Sequence, residues 1–223
     1  MAYECSGNCN QSMVENMRKA GIVRDERAVS AMLAVDRGDF CNRSPYIDCP
    51  QSIGANATIS APHMHAAALE RLAGHLVESS RVLDVGCGSG YLTACISLMV
   101  GKSGVVVGID HIDELVSLSE RNISLHHSDL LRSRRVRLVC GDGRKGYRGA
   151  APYNAIHVGA AASSIPEELL SQLADGGRML IPVGVAHQEF LQIDREGDRF
   201  VQRKLHDVIY VPLTSKEVQL SRR

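Results

Sequence analysis

The sequence predicts one α/β domain of 223 residues with a doubly wound, mostly parallel sheet, and three observations support this fold class. Short runs rich in valine, isoleucine and leucine alternate with helix-like stretches through the middle of the chain. A glycine-rich turn joins the first of these runs to a helix, as in βαβ units. Acidic residues follow several runs, at the edge where such sheets bind ligands.

The region before the first strand is predicted to be mostly helical. Apolar periodicity predicts two helices within residues 11–40, each running into a glycine. Residues 42–61 are rich in proline and serine and predict an irregular loop, of a length that is usually functional. A third helix is expected over residues 66–77.

The remaining pattern predicts a parallel core followed by a strand-rich end. Strands are expected from residue 82 and over residues 105–109, 136–140, 153–158, 178–183, 189–193, 200–204 and 208–213. Helices are expected over residues 91–100 and 166–173, and the second of them is expected to stop at Asp175 and the two glycines after it.

The glycine-rich turn predicts an adenosine-containing cofactor. Residues 82–90 read Val-Leu-Asp-Val-Gly-Cys-Gly-Ser-Gly, and Asp110 ends the second strand twenty positions after Gly90. Glycines such as Gly86 let the backbone approach a ligand closely, and a carboxylate at the second strand can accept both ribose hydroxyls. A glycine-rich turn with only a structural role is the alternative.

Two features favour S-adenosylmethionine over a dinucleotide. In the dinucleotide pattern Gly-x-Gly-x-x-Gly, the third glycine position would be taken by Tyr91 or Thr93, depending on the frame. Asp84 lies just before the turn, where its charge would repel a pyrophosphate at the helix N-terminus. S-adenosylmethionine carries an ammonium group and no phosphate, so an acidic residue is compatible with it.

Ser60 has two interpretations from the local pattern. Ser60 followed by Pro62 fits a helix N-cap and first turn, which is a purely structural role. The same helix N-terminus could instead bind a substrate carboxylate, with the Ser60 hydroxyl as an extra donor. His63 and His65 lack partners at zinc-site spacing, so no metal is predicted.

Two further positions also allow a structural or a functional role. Asp142, after the third strand, could accept a hydrogen bond from an adenine amino group, or could be a turn residue before Gly143. Thr214 begins the pattern Thr-Ser-Lys-Glu, which fits a helix capping box.

Composition restricts the class of partner and the compartment. The 25 basic residues balance 25 acidic residues, so no broad surface for a nucleic acid is predicted. The seven cysteines form no Cys-x-x-Cys pair, which predicts free thiols in a reducing compartment. We find no signal for secretion or membrane insertion and expect a soluble protein of the cytosol.

Taken together, the motifs resemble those of the protein-L-isoaspartate (D-aspartate) O-methyltransferase family over essentially the whole chain. The segment Ala57-Thr-Ile-Ser-Ala-Pro-His-Met-His65 is the most discriminating of them. The others are Gln51-Ser-Ile-Gly54, residues 84–90, Gly108-Ile-Asp-His111, Gly141-Asp-Gly143, Ile181-Pro-Val-Gly184 and Ile209-Tyr-Val-Pro-Leu-Thr214. Ala55, Asn56 and residues 184–188 depart from the family pattern, which leaves the peptide preference open.

The resemblance implies the fold, the reaction and the site residues. It implies a Rossmann-like sheet of the S-adenosylmethionine-dependent methyltransferase type with added N-terminal helices. Residues 1–80 would supply those helices and the active-site loop, and residues 81–223 the cofactor-binding sheet and C-terminal strands. Ser60 would be the active-site residue. The cofactor would contact Ala57, Thr58, Ile59, Ser60, His65, Asp84, Gly86, Ser89, Asp110, His111, Asp142, Gly143 and Thr214.

The implied activity is the first step of protein repair. A methyl group passes from S-adenosylmethionine to the free α-carboxylate of L-isoaspartyl residues, and of D-aspartyl residues, in damaged polypeptides. S-adenosylhomocysteine is the other product, and the ester then forms a succinimide. The resemblance also implies a monomer that needs no metal and binds neither nucleic acid nor membrane.

Three other functions remain as alternatives. A nucleic-acid methyltransferase would show a basic face, and amino-group methylating types carry an Asn/Asp-Pro-Pro-Tyr motif where this chain has residues 157–161. A nicotinamide dehydrogenase would need a different glycine frame. A non-catalytic adaptor would bind the cofactor and the isoaspartyl peptide without transferring the methyl group.

Overall fold

The computed structural model describes residues 5–221 and confirms the predicted α/β class. The helices in this part of the chain are α1 (Asn10–Lys19), α2 (Glu26–Ala34), α3 (Pro62–Leu72), α4 (Tyr91–Met99), α5 (Asp113–Arg132), α6 (Glu167–Ser171) and α7 (Lys216–Ser221). The strands are β1 (Gln51–Gly54), β2 (Ala57–Ile59), β3 (Arg81–Val85), β4 (Val105–Asp110), β5 (Val136–Cys140), β6 (Tyr153–Val158), β7 (Leu173–Val183), β8 (Gln188–Glu196) and β9 (Arg199–Val208).

Seven strands form one mixed sheet in the order β5-β4-β3-β6-β7-β8-β9. The first five of these are parallel, and β8 and β9 continue the sheet as an antiparallel hairpin. The chain runs outward from β3 to β5 and then returns to place β6 on the other side of β3. Such a reversal of strand order opens a crevice beyond the carboxyl ends of the strands, where ligands bind.

Apolar cores lie on both faces of the sheet, because alternate residues of each strand point to opposite sides. On one face, Val82 packs with the N-terminal helices and α4, around side chains such as Met17 and Leu69. On the other, Leu83 and Val85 pack with β6 and α6. This burial on both faces explains the continuous apolar runs of the parallel strands.

Two N-terminal helices form in the predicted region, but the second ends at Ala34 rather than running into Gly38, which lies in a separate 3-10 turn over Arg37–Asp39. Asp25 caps α2 by accepting hydrogen bonds from the backbone N–H groups of Arg27 and Ala28, at 2.9 and 3.2 Å. Both helices contribute buried residues to the core cluster that also contains α3 and α4. They therefore pack on the same core as the sheet.

The predicted irregular loop over residues 42–61 is wrong in its second half. There β1 and β2 pair as an antiparallel hairpin, separate from the main sheet. Its turn residues Ala55 and Asn56 both have positive φ, 49° and 54°. The strands are too short and too exposed to give an alternating apolar pattern.

The third helix also begins earlier than predicted, and Ser60 is not its N-cap. The cap position is Ala61, with Pro62 at the first helical position and no side-chain cap hydrogen bond there. The next free N–H group, that of His63, donates instead to the buried carboxylate of Asp48 at 3.0 Å. A capping partner fifteen residues away carries no local sequence signal.

Three predicted boundaries near the C-terminus are wrong. The helix over residues 166–173 is shorter, and residues 175–177 lie inside β7, at an irregularity in its pairing with β6. Residues 209–213 make only an isolated bridge at Pro212 rather than a strand. The cap of α7 is Ser215, whose hydroxyl accepts from the N–H of Val218 at 3.4 Å, rather than Thr214.

Two further findings concern membrane-crossing helices and cysteines. Among residues 5–221, no helix has the length and apolar character needed to cross a bilayer. No disulfide joins any of the seven cysteines, all of which lie within the described residues.

Candidate active site

Most of the predicted site residues line two adjoining cavities at the carboxyl ends of β3, β4 and β6. We call them the Asp110 cavity and the Ser60 cavity, after the polar residue that distinguishes each. The Asp110 cavity is also lined by Ala57, Thr58, Gly86, His111 and Gly143. The Ser60 cavity is also lined by Thr58, Ile59, His65, Asp84, Gly86 and Ser89. The two share Thr58 and the glycine loop, so they form one continuous site.

The glycine loop between β3 and α4 needs its glycines for two different reasons. Gly86 has a φ of 74°, a left-handed conformation that side chains rarely adopt. A Cβ atom on Gly90 would lie 3.2 Å from the Cα atom of Ser119 in α5, so a side chain would push the two helices apart. The loop can therefore turn tightly and expose its backbone to a ligand.

Asp110, at the end of β4, has an unsatisfied acceptor capacity. Its carboxylate accepts one hydrogen bond on each oxygen, from the backbone N–H groups of Gly88 and Ile112 at 3.2 Å. Burial raises the pKa of this carboxyl, against the effect of those hydrogen bonds. Each carboxylate oxygen can accept a further bond. The geometry suits a diol such as a ribose.

Asp84 forms the floor of the Ser60 cavity and is itself held on both oxygens. The Thr93 hydroxyl donates to Oδ2 at 2.6 Å, and the His157 ring bonds to Oδ1 at 2.9 Å through Nδ1. All three side chains are buried. The fixed negative group favours a cation above it.

Arg37 is fully buried and holds the segment that carries Ser60. It donates to the carbonyl oxygens of Ser60 and Pro45, each at 2.8 Å, and lies 5.5 Å from the centre of the Tyr91 ring. Its fourth contact, at 3.2 Å, is with Nδ1 of His65. The Ser60 backbone is thus fixed while its side chain lines the cavity.

Arg37 also sets the tautomer of His65. A guanidinium only donates hydrogen bonds, so Nδ1 of His65 must accept and its proton must lie on Nε2. Burial lowers the pKa of His65 well below its usual value, and the Arg37 charge lowers it further. His65 is therefore neutral near pH 7 and offers one N–H donor at the wall of the Ser60 cavity.

The structure does not bring two of the predicted residues to the cavity walls. Asp142 does not line either cavity, and its carboxylate is bound by the Arg144 guanidinium through two bonds of 2.9 Å. Thr214 is likewise outside both linings, whereas Leu213 before it lines the Asp110 cavity. Gly143, next to Asp142, is at the wall.

Gln219, in α7, lines the Asp110 cavity and was missed by sequence reasoning. Its amide nitrogen donates to the carbonyl of Ala55 at 2.9 Å, and its amide oxygen accepts from His111 Nε2 at 2.8 Å. The side chain therefore joins three distant parts of the chain across the cavity. Arg37 was also missed, because its site partners are 23 and 28 residues away. Neither residue belongs to a local motif.

One group of three possible metal ligands occurs in the described part of the chain, away from the two cavities. It consists of His187, Glu189 and Asp207, and all three side chains are substantially exposed. The Lys204 ammonium bonds both carboxylates, at 2.8 and 2.9 Å, so a positive charge already balances them. We propose no metal role for it, and the predicted absence of a metal stays a prediction.

Comparisons with known proteins agree with the motifs. Residues 8–218 match the family model described as Protein-L-isoaspartate(D-aspartate) O-methyltransferase. A protein-L-isoaspartate O-methyltransferase of Caenorhabditis elegans is 53% identical over 224 residues, covering 100% of both chains. Protein-L-isoaspartate O-methyltransferase 1 of Arabidopsis thaliana is 51% identical over 217 residues, covering 96% of this chain and 94% of the relative.

The fold agrees as well. A crystal structure from Plasmodium falciparum, described as a protein-L-isoaspartate O-methyltransferase in complex with S-adenosyl-L-homocysteine, superposes with a TM-score of 0.88. It is 35% identical, and the match covers 93% of this chain and 99% of that one. The chain therefore belongs to the protein-L-isoaspartate(D-aspartate) O-methyltransferase family, as its motifs predicted.

Proposed function

We propose that this protein transfers a methyl group from S-adenosylmethionine to the free α-carboxylate of L-isoaspartyl residues, and of D-aspartyl residues, in damaged polypeptides. The observation that carries the proposal is the junction of the two cavities across the glycine loop. It places a ribose-binding carboxylate, Asp110, on one side and the anchored Ser60 segment on the other. Membership of the family supports the same reaction.

The residues present suit the cofactor. The spare acceptor capacity of Asp110 suits the two ribose hydroxyls, and Gly143 and His111 flank the space for the base. The donor on His65 suits a carboxylate, while Asp84 beneath the Ser60 cavity suits the cationic end. Ser89 and residues 57–59 complete the walls, and Thr214 and Asp142 would need to move to make contact. When bound, S-adenosylmethionine supplies a methyl group that is already activated.

The protein need not supply a general base. A terminal-type carboxyl has a pKa of roughly 3.3–3.7, so only about one in two thousand to one in five thousand is protonated at pH 7. We infer that Ser60 donates a hydrogen bond that orients this carboxylate and does not act as a nucleophile. Alignment of reacting groups can lower a barrier by roughly 7–11 kcal/mol. Placement by Ser60 and Arg37 is then the main contribution of the chain.

Exclusion of water assists the same step. The substrate is an anion and the methyl donor a cation, so methyl transfer removes both charges. A drier pocket favours the less charged transition state over the reactants. The ester product then cyclises to a succinimide without help from the protein, and hydrolysis returns part of it as normal aspartate.

A methyl-transfer assay with paired peptides tests the proposal. The two peptides share one sequence and differ only in an aspartyl or an isoaspartyl linkage. We expect label in the isoaspartyl peptide alone. Equal label in both would indicate a general carboxyl methyltransferase. Peptide binding without release of S-adenosylhomocysteine would indicate an adaptor.

We further propose that the protein acts as a cytosolic monomer and binds neither nucleic acid nor membrane. The lack of disulfides among the seven described cysteines fits a reducing compartment. The exposed edge strand β9 carries charged side chains such as Arg203 and Lys204, which disfavour pairing with another sheet. The balance of 25 basic and 25 acidic residues fits the lack of a nucleic-acid partner. Sedimentation velocity at micromolar concentration tests the oligomeric state.

We also propose that residues 1–80 and 81–223 act as two parts of one domain. The helices α1 to α3 share a continuous apolar core with α4 and with Val82 and Val106 of the sheet. Separate expression of residues 81–223 should therefore give an unstable chain, which circular dichroism would detect.

A further inference from the structure

A groove lies between the exposed face of α3 and the hairpin of β8 and β9, and it begins at His63, three residues after Ser60. The residues that α3 and the turn after it present to this groove recur at helical spacing, because they lie on one side of the helix. They are His63, Met64, Ala67, Glu70, Arg71 and Gly74. We call this surface the α3 groove.

The half of the α3 groove nearest Ser60 is largely apolar, although three histidines and Asp207 also line it. Met64 and Ala67 of α3 face Phe190, whose ring stacks on that of Tyr210 with centroids 6.1 Å apart. Ile209 also lines this half, and 94% of its surface is exposed. An exposed aliphatic side chain beside an aromatic pair is typical of a binding surface rather than of a solvated one.

The far half is strongly basic. It begins at the shared residue Ala67 and contains the guanidinium groups of Arg24, Arg71 and Arg203. In the described part of the chain, no carboxylate pairs with these three groups. The carboxylate of Glu70 in the same half is engaged, since it accepts the N–H groups of Arg24 and Asp25 at 2.7 and 2.8 Å.

A fourth arginine in this half is already neutralised. Arg178 forms two hydrogen bonds to Asp194, at 2.7 and 3.0 Å, and its third bond, of 2.9 Å, is to the carbonyl of Arg71. The amide of Gln192 also donates to Asp194, at 2.7 Å. This contrast leaves three positive charges without partners in the far half of the groove, with Arg71 on α3, Arg203 on β9 and Arg24 just before α2.

The groove matches an extended polypeptide in length. Eleven residues separate Ser60 from Arg71, which along a helix corresponds to about 16 Å. An extended chain advances about 3.3 Å per residue. A substrate that places its isoaspartyl carboxylate at Ser60 and follows the groove therefore reaches the arginines about five residues away.

We propose that the α3 groove binds the substrate polypeptide beside the damaged residue and selects acidic side chains about four to six residues from it. This inference rests on the proposed function, and it adds the substrate class. The apolar half takes the residues next to the isoaspartyl linkage, and Arg24, Arg71 and Arg203 attract carboxylates further along. The position of His63, three residues after Ser60, and charge complementarity support a polypeptide as the occupant.

Four isoaspartyl peptides test the inference. In the first pair, one peptide carries three glutamates and the other three glutamines at positions four to six before the isoaspartyl residue. The second pair carries the same residues at positions four to six after it. For one of the two pairs, we expect the KM of the glutamate peptide to be about three- to tenfold lower than that of the matching glutamine peptide. The variant Arg71→Gln/Arg203→Gln should lose this preference and keep its kcat on the glutamine peptides. Salt at about 0.5 M should also weaken the preference, because it screens exposed charges.

The control variant is Arg121→Gln/Arg199→Gln, which removes two exposed arginines outside the groove and should keep the preference. Equal KM values for glutamate and glutamine peptides in the wild-type protein would overturn the inference. An undiminished preference for glutamate peptides in Arg71→Gln/Arg203→Gln would also overturn it. The same holds if this variant alone loses binding to single-stranded RNA while its peptide kinetics stay unchanged. No methylation of any of the peptides would instead contradict the proposed function.

Discussion

At the scale of single residues, the buried charge of Arg37 explains how the Ser60 segment holds its shape. The guanidinium has no carboxylate partner among the groups it bonds, and it donates to two carbonyls and to His65. A buried charge needs such compensation, and carbonyl dipoles provide part of it. We infer that its remaining positive field favours an anion at Ser60.

Replacing Ser60 tests its role as an orienting donor. In Ser60→Ala, we expect kcat on an isoaspartyl peptide to fall about ten- to a hundredfold, while the Kd of S-adenosylhomocysteine changes less than twofold. Ser52→Ala, at an exposed position of β1, is the matched control and should behave as wild type. Unchanged turnover in Ser60→Ala would remove Ser60 from the mechanism.

Asp110 should act through the ribose hydroxyls. Hydrogen bonds to a charged group contribute roughly 1.5–3 kcal/mol each, so Asp110→Asn should raise the Kd of S-adenosylhomocysteine about ten- to a hundredfold. Calorimetry with the 2′-deoxy analogue supplies the control. The analogue should bind the wild-type protein more weakly than S-adenosylhomocysteine does. Its Kd should rise little further in Asp110→Asn, because the hydroxyl that Asp110 would bond is already missing. Equal losses for both ligands would show that Asp110 does not contact the 2′-hydroxyl.

His65 should make stability depend on pH. The pKa of His65 is lowered in the folded state from its ordinary value of 6.5. At a pH between these two values, His65 is protonated in the unfolded chain and neutral in the folded protein, so the unfolded chain binds more protons. The free energy of unfolding should therefore fall as pH decreases below about 6.5, by up to roughly 1.4 kcal/mol per pH unit. His65→Asn keeps an acceptor for Arg37 but cannot titrate. Urea unfolding from pH 7.5 to 5.5 should show a shallower loss in this variant, and equal slopes would contradict the assignment.

At the scale of elements, α7 and the β1–β2 hairpin form a cover over the Asp110 cavity. The hairpin turn holds Ala55 in the left-handed region, which costs about 1–2 kcal/mol for a residue with a side chain. Gln219 bonds the carbonyl of this residue, and Lys216 pairs with Asp113 at the start of α5. The two contacts hold α7 against the hairpin and the start of α5.

Removing the Gln219 side chain should loosen this cover. Two side-chain hydrogen bonds are lost, each of which contributes about 0.5–1.5 kcal/mol. In Gln219→Ala we expect S-adenosylhomocysteine to dissociate about tenfold faster, and residues 51–59 to exchange amide hydrogens faster. Gln202→Ala, on the exposed strand β9, is the control. Wild-type dissociation and exchange rates in Gln219→Ala would mean that α7 does not restrain the hairpin.

At the scale of the whole molecule, the sequence predicted the parts of the fold that have a local signal. The parallel core was predictable because β3, β4 and β6 are buried on both faces and are therefore mostly apolar. The glycine loop and Asp110 were predictable because their spacing along the chain is fixed by one βαβ unit. The hairpin of β1 and β2 was missed, since its strands of four and three residues are half exposed.

The rest of the site depends on long-range contacts that no local pattern encodes. The backbone N–H group of His63, at the start of α3, donates to Asp48, fifteen residues away in the sequence. The helix therefore needs no cap from Ser60. His157 reaches Asp84 across 73 positions, and Gln219 reaches Ala55 across 164. Such pairs form only after the sheet and helices have packed.

A crystal structure of the complex with S-adenosylhomocysteine tests the central claim most directly. We expect the ribose hydroxyls on the Asp110 carboxylate, and the sulfur atom in the Ser60 cavity on the side of the Ser60 hydroxyl. A ribose bound elsewhere, or a sulfur atom separated from Ser60 by the glycine loop, would contradict it.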